Sequence, residues 1–441
     1  MIKVGFISLG CSKNLVDTEV MLYNLHSRGF EITPNEEEAE IIVVNTCGFI
    51  ESAKQESIDN ILDCAKLKEW GKCRHIIATG CLVERYREEV MKELPEVDAL
   101  LGVGSLEDIA DACEAVMRGE KYTSFKDKEA SHLGGDRIIT TEPHTAYLKI
   151  AEGCDNLCTY CAIPLIRGKL RSRTIEDIVA EAKDLEQMGI KEINLIAQDT
   201  TRYGLDLYGE YSLARLVRAI TENTAIPWIR LLYCYPDKIT DELIEELKNN
   251  DRLLKYMDIP VQHISDSVLT RMNRHGGKAL IKDAIKRLRD NVEGIVLRTT
   301  AMVGFPGERE EDFVELCEFV KEARFERFGA FTYSPEEGTK AAEMPDQIPE
   351  QVKQDRYDIL MQTQLTVIEE QNAGNVGKTV TVLCDGFDTV AEVYFGRTYA
   401  DAPDVDGKVY FTSKTKIAPG SFVSVKITEA LDYDLVGEKT D

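Results

Sequence analysis

Six of the twelve cysteines stand where spacing or setting points to chemistry. Cys154, Cys158 and Cys161 form a C-x-x-x-C-x-x-C run, Cys154-Asp155-Asn156-Leu157-Cys158-Thr159-Tyr160-Cys161, with the aromatic Tyr160 directly before the last thiol. Three thiolates this close suit one iron–sulfur cluster, because Cys is the soft ligand such clusters take. A cluster that only passes electrons takes four thiolates, and the next cysteines on either side are Cys113 and Cys234. Three ligands would leave one iron open to a small molecule. A zinc site and inert buried thiols are the other readings. Zinc usually asks for paired C-x-x-C knuckles, and inert thiols do not crowd three into eight residues.

Cys11, Cys47 and Cys81 are far apart in sequence but share a setting. Each follows a short apolar run: Val4–Gly10, Ile41–Thr46 and His75–Gly80. Helical periodicity comes next over Leu15–Arg28, Ile50–Glu69 and Val83–Leu94, and a fourth unit places Ala99–Val103 before a helix from Leu106 to Met117. Repeated β-α units imply a parallel, doubly wound sheet. All three cysteines would then lie at its carboxyl edge, where open α/β sheets bind ligands. That geometry leaves a metal site and packing thiols equally open. Cys64, Cys73 and Cys113 fall within or just beyond helical stretches and read as packing thiols.

The elements that must position these residues divide the chain into 1–118, a polar connection at 119–143, then 144–372 and 373–441. The expected fold class is α/β: a doubly wound N-terminal domain, a partial TIM-like (β/α)6 barrel and a small C-terminal antiparallel β-barrel. Strands are expected at Ala146–Ala151, Glu192–Ala197, Trp228–Leu232, Tyr256–Val261, Ile295–Val303 and Phe328–Tyr333, with helices between them. Barrel chemistry gathers at the carboxyl ends of strands, and the Cys154–Cys161 run follows the first. Other strand ends carry Gln198-Asp199 and Gln262-His263, and Arg298 precedes Val303-Gly304-Phe305-Pro306-Gly307. A helix cap for Asp199, a satisfied core His263 and a simple turn at Gly304–Gly307 are the structural alternatives. The basic run Arg167–Arg173 reads equally as a solvated loop or as a grip for a carboxylate.

The net charge is −25. That weighs against nucleic acid as the direct substrate and favours a basic protein. Residues 374–441 carry a net −4, the wrong sign for gripping phosphates. The N-terminus lacks a signal-peptide layout and no apolar run is long enough to span a membrane. Twelve cysteines without a secretion signal point to a reducing, cytoplasmic setting.

The Cys154–Cys161 run with Tyr160 resembles the signature of radical S-adenosylmethionine enzymes. Leu9-Gly10-Cys11-Ser12-Lys13-Asn14, Asn45-Thr46-Cys47-Gly48-Phe49 and Thr79-Gly80-Cys81 resemble the three cysteine motifs of the methylthiotransferases. The domain order is similar too, with a TRAM-like barrel last. The resemblance implies two 4Fe–4S clusters, one on Cys154, Cys158 and Cys161 that binds and cleaves S-adenosylmethionine, and an auxiliary one on Cys11, Cys47 and Cys81 that offers sulfur. It suggests Tyr160, Gln198, Arg298, Val303 and Gly304 as cofactor contacts. Ala197–Gly204 and Tyr333–Thr339 look like the RimO type, which methylthiolates the β-carbon of an aspartate in the twelfth small-subunit ribosomal protein. That type implies a basic ribosomal protein as substrate and a reductant protein as electron donor. A tRNA-modifying relative of the MiaB type and a non-enzymatic iron–sulfur or electron-transfer protein are the rival readings.

Overall fold

A computed structural model describes residues 1–440. It divides into two compact units. The first comprises Met1–Thr140, Lys149–Arg173 and Ser334–Ala342; the second comprises Thr141–Leu148, Thr174–Tyr333 and the chain from Glu343 onward.

The first unit is built on β1 (Lys3–Ser8), β2 (Glu31–Ile32), β3 (Ile41–Thr46), β4 (His75–Gly80), β5 (Ala99–Leu101) and β6 (Tyr122–Ser124). They line up as β2-β1-β3-β4-β5-β6, every pair parallel. Successive side chains of a strand point to opposite faces, so Ile41 and Val43 enter one core while Ile42 and Val44 enter another. Met21 and Leu25 of helix Ser12–Ser27 and Ile109 and Val116 of helix Ile109–Met117 cover the first face. Ile61 and Leu67 of helix Glu51–Trp70 cover the second. This is the doubly wound arrangement expected.

Two local expectations change. The helix over Val83–Leu94 is broken into Cys81–Tyr86 and Glu88–Glu93, because Arg87 takes a left-handed backbone at φ +40°. The polar stretch 119–143 contains β6, an edge strand paired with β5. Its Tyr-Thr-Ser sequence, only half buried on the sheet edge, shows no apolar alternation to betray it.

The second sheet begins with β7 (Thr145–Lys149). After it, β8 (Ala151–Glu152) pairs antiparallel with β9 (Arg171–Ser172) and brackets the Cys154–Cys161 loop inside the first unit. The sheet resumes with β10 (Glu192–Ile196), β11 (Trp228–Leu231), β12 (Leu253–Asp258), β13 (Val296–Val303) and β14 (Arg327–Thr332). Its order is β14-β13-β12-β11-β10-β7, an open six-stranded partial barrel, parallel from β10 to β14. β12 ends three residues earlier than expected, just before Ile259-Pro260. Pro260 has no amide to give a ladder.

Helix Glu350–Ala373 leads to β15 (Thr379–Asp388), β16 (Val393–Arg397), β17 (Val409–Thr412), β18 (Phe422–Ala430) and β19 (Leu435–Lys439). They close as β15-β16-β17-β19-β18 around Val382, Cys384, Val409, Phe411, Val425 and Ile427. The expected all-antiparallel pairing is corrected at one seam, since β17 and β19 run parallel. A closed ring with an odd number of strands must contain a parallel pair.

Within this second unit the barrel docks on the starting ends of the sheet strands. Arg397 Nη1 lies 2.5 Å from Glu192 Oε2, and Arg327 Nε 3.1 Å from Asp401 Oδ1. Tyr147 and Tyr256 hydroxyls donate to Asp404 and Asp406 at 3.1 and 2.7 Å. Trp228 meets Phe422 edge to face at 5.0 Å. No helix among the described residues is long and apolar enough to cross a membrane.

Candidate functional site

The strand order of the first sheet reverses between β1 and β3, the switch point at which open α/β sheets leave a crevice. Cys11 follows β1, Cys47 follows β3, and Cys81 opens the helix after β4. Asn14 ties these loops together. Its Nδ2 donates to Leu9 O at 2.8 Å and Thr46 O at 3.1 Å, while Oδ1 lies 4.0 Å from Cys81 Sγ. Gly10, at φ +88°, lets the first loop close on the second; a Cβ there would sit 3.0 Å from Cys47 Sγ. Arg85 completes the clamp by donating to Gly48 O and to Glu336 Oε2, each at 2.9 Å. Glu336 in turn accepts the Glu51 amide at 2.9 Å, at the start of helix Glu51–Trp70.

Cys11 is exposed, Cys47 half-buried and Cys81 buried. Burial pushes the Cys81 thiol up to about 11, with Arg167 pulling it back and Cys11 pushing it further. Burial raises the Cys47 thiol too, and Cys11 adds to it. The three sulfurs are thus close enough to feel one another's charge. Among the described residues no three His, Cys, Asp or Glu groups converge as one metal ion would require. A cluster does not require that convergence, since each thiolate takes a different iron. The donor set fits such a group: three soft thiols on glycine-tightened loops.

The Cys154–Cys161 loop is half-buried at all three thiols. Cys154 N–H donates to Gly168 O at 3.1 Å, closing the loop at its base, and Ile163 N–H points to Cys161 Sγ at 3.4 Å. Thr159 O accepts the Ala341 amide at 2.9 Å. The short helix Ile163–Arg167 follows, and Cys81 packs against Ala162 and Ile166. Both thiol sets therefore belong to the first unit, joined through Cys81.

Arg167 is neither a solvated loop residue nor a free grip for a carboxylate. It is 3% exposed, with Nη1 at 2.6 Å from Asp17 and 3.2 Å from Glu152, and Nη2 at 2.9 Å from Asn14 Oδ1 and 3.3 Å from Cys81 Sγ. Lys149 reaches the same two carboxylates at 2.5 and 3.0 Å. Asn14 and Glu336 stood inside motifs quoted from the sequence but were given no role there, and Asp17 and Arg85 were not singled out at all. A signal existed for two of them: Asn14 and Asp17, three apart, share the face of the helix that opens just after Cys11.

In the second unit, Gln198 lies half-buried just beyond β10, Val303 ends β13 and Gly304 follows it, all at carboxyl ends. Tyr160 is half-buried in the first-unit loop. Arg298 is different. It lies near the start of β13 and pairs with Asp258 at 2.9 Å and Asp406 at 3.4 Å, so it takes part in docking the barrel. The Gly304 and Phe305 amides do not face an open anion site; both point to Glu308 Oε2, at 2.9 and 3.3 Å. Gly304 (φ +73°) is needed because a Cβ would lie 2.3 Å from Lys353 Cγ. Asp199 caps the turn Thr200–Arg202 through the Thr201 amide. His263 is fully buried, accepts the Ser265 amide at 3.0 Å, and is pushed down to about 3 by burial. Cys64, Cys73 and Cys113 are buried in the two cores of the first unit, as expected of packing thiols.

Comparison with known proteins matches the same three segments. Residues 3–102 match Uncharacterized protein family UPF0004, residues 148–320 the Radical SAM superfamily, and residues 376–439 the TRAM domain. The chain is 50% identical to the ribosomal protein uS12 methylthiotransferase RimO of Thermoanaerobacter sp. (strain X514), covering 99% of this chain and 100% of that protein. It is 49% identical to the RimO of Clostridium tetani over 100% of this chain and 98% of the relative. The chain belongs to the ribosomal protein uS12 methylthiotransferase RimO family. Among solved structures, the radical S-adenosylmethionine methyltransferase TsrM of Kitasatospora setae shares the fold, with a TM-score of 0.55 at 13% identity over 75% of this chain and 72% of that one. Membership of this family makes the chain a transferase of the radical S-adenosylmethionine class.

Proposed function

We propose that this chain adds a methylthio group to the β-carbon of an aspartate in ribosomal protein uS12, using S-adenosylmethionine and two 4Fe–4S clusters. The observation that carries this reading is the packing of Cys81 against the helix that leaves Cys161, which puts two three-thiol sets in one compact unit. Cys154, Cys158 and Cys161 would hold one cluster and Cys11, Cys47 and Cys81 the other. With S-adenosylmethionine bound, such groups supply a carbon radical for hydrogen abstraction and an open iron for sulfur.

The chain's own residues do the rest. Asn14 and Arg85 fix the auxiliary loops through their carbonyls, so the thiols are held before any ligand arrives. The buried charges Asp17, Lys149, Glu152 and Arg167 neutralise one another within this layer. Gln198 and the Val303–Gly304 backbone would line the second unit's carboxyl edge, with Tyr160 beside the radical thiols, as cofactor contacts. A basic protein substrate would be drawn by the net charge of −25. A cytoplasmic reductant protein would deliver the electrons.

The test is one anaerobic reaction with reconstituted protein, reductant, sulfide and S-adenosylmethionine, followed by mass spectrometry of uS12 and, in a parallel tube, unmodified tRNA. A methylthio group on an aspartate of uS12 is the expected product. The same group on tRNA instead would overturn the substrate assignment.

A further inference from the structure

Most buried arginines in this molecule end on carboxylates or carbonyls. Arg167 also ends on sulfur. Its guanidinium splits into two halves: Nη1 faces Asp17 and Glu152, and Nη2 faces Asn14 Oδ1 and Cys81 Sγ, the latter at 3.3 Å. The two carboxylates have a second cation of their own in Lys149. The four charges balance without the sulfur, so the Nη2 half is not needed to neutralise them. It points a permanent cation and an N–H donor at the one thiol of its set that is buried.

We propose that Arg167 is a positioning residue for the auxiliary cluster, holding the Cys81 sulfur by a charged N–H···S bond and raising the reduction potential of the cluster that Cys81 helps to bind. The inference rests on the assignment of Cys11, Cys47 and Cys81 as cluster ligands. Hydrogen bonds to the sulfurs and local charge are what set cluster potentials, and a cation beside a sulfur favours the more negative, reduced form. Arg167 also ends the helix that follows Cys161, while Ile166 packs on Cys81, so one side chain locks the auxiliary thiol to the other thiol loop. Only the planar fork can serve both sides at once; an ammonium group is a single point.

The test uses the full-length chain with Cys154, Cys158 and Cys161 replaced by Ala, so that only the auxiliary cluster is bound. Iron content and the one-electron midpoint, read by dye-mediated titration with electron paramagnetic resonance, are compared for this parent, Arg167→Lys and Asp17→Asn. Arg167→Lys keeps the charge that Asp17 and Glu152 require but loses the bond to sulfur. It is expected to make reduction at least tenfold harder, about 59 mV. Asp17→Asn leaves the guanidinium in place with less of its charge neutralised, and is expected to shift the midpoint the opposite way. Opposite shifts are not produced by a merely structural role. Equal midpoints in all three proteins would overturn the proposal. Should Arg167→Lys lose iron, an unchanged melting temperature of the apo protein would support it, and a lowered one would assign Arg167 to loop folding and overturn it. A parent that binds no iron would remove the ligand assignment itself, and with it this inference, a failure distinct from the others.

Discussion

Two parallel sheets in this chain carry buried arginine–carboxylate networks, at opposite ends. In the first unit the network of Asp17, Lys149, Glu152 and Arg167 lies beyond the carboxyl ends of the strands and touches a thiol. In the second unit Arg230, Arg298 and Arg327 of the sheet and Arg397 of the barrel pair with Glu192 and Asp258 of the sheet and with Asp385, Asp401 and Asp406 of the C-terminal region, mostly toward the starting ends, and so fasten the barrel. The side chains are chemically alike. What separates them is the further partner: sulfur in one case, and in the other groups across the seam between sheet and barrel, among them Asp401, Asp406 and the Tyr399 carbonyl. A buried arginine is therefore no sign of a ligand site until the rest of its fork is accounted for.

That contrast breaks most sharply at the cysteines. Cys158→Ala is expected to abolish cleavage of S-adenosylmethionine, measured as deoxyadenosine formed. Cys47→Ala is expected to keep that cleavage and lose methylthiolation of uS12 by several orders of magnitude. Methylthiolation surviving in Cys47→Ala would show that the first sheet's edge is not the sulfur site.

The next effect is on stability alone. Arg230 is fully buried, bonds Glu192 at 2.9 Å and stacks 4.6 Å over Tyr256. Arg230→Ala leaves Glu192 short of a partner and is expected to cost about 3–5 kcal/mol in denaturant unfolding. Iron bound per folded chain should not change. A loss of iron in this variant would mean the two networks are not separable.

Smaller still is Gly304→Ala, expected to cost about 1–3 kcal/mol, because a left-handed backbone and the Lys353 stem both resist a Cβ. S-adenosylmethionine binding by equilibrium dialysis is expected to fall further than the folded fraction does, because the Val303–Gly304 backbone is proposed to meet the cofactor; a loss no larger than the folded fraction would remove this turn as a direct contact.

The last effect is graded with pH. His263 is held neutral by burial down to about 3, whereas an unfolded His takes a proton near 6.5. Its contribution is present above 6.5 and is lost as pH falls from there toward 3, by at most about 1.4 kcal/mol per pH unit. His263→Asn keeps an acceptor for the Ser265 amide and is expected to flatten that part of the stability profile. An unaltered profile would show that another group titrates there.

Much of this was legible before any coordinates. Residues Cys11, Cys47 and Cys81 could be placed on one edge because a β-α repeat forces parallel strands, and the strands found, such as Ile41–Thr46 and His75–Gly80, carry the apolar runs that marked them. The Cys154–Cys161 loop was legible from spacing alone. The pairing of Arg298 with Asp258 and Asp406 was not legible, because a strand pattern does not tell which side chains meet the next domain. The acidity of the C-terminal barrel was legible too, but part of it, at Asp385, Asp401 and Asp406, is spent inside the fold.

The sequence by itself determined most of the element order and the Cys154–Cys161 set, because periodicity and short spacings are local properties that survive without a fold; the family, and with it the second thiol set, came from the resemblance of motifs. Only the tertiary structure decided that Arg167 meets Cys81, 86 positions away, and that Arg298 meets Asp406, 108 positions away. Such pairings depend on which loops the packed cores bring together, and a charged side chain buried there takes whichever partner satisfies it.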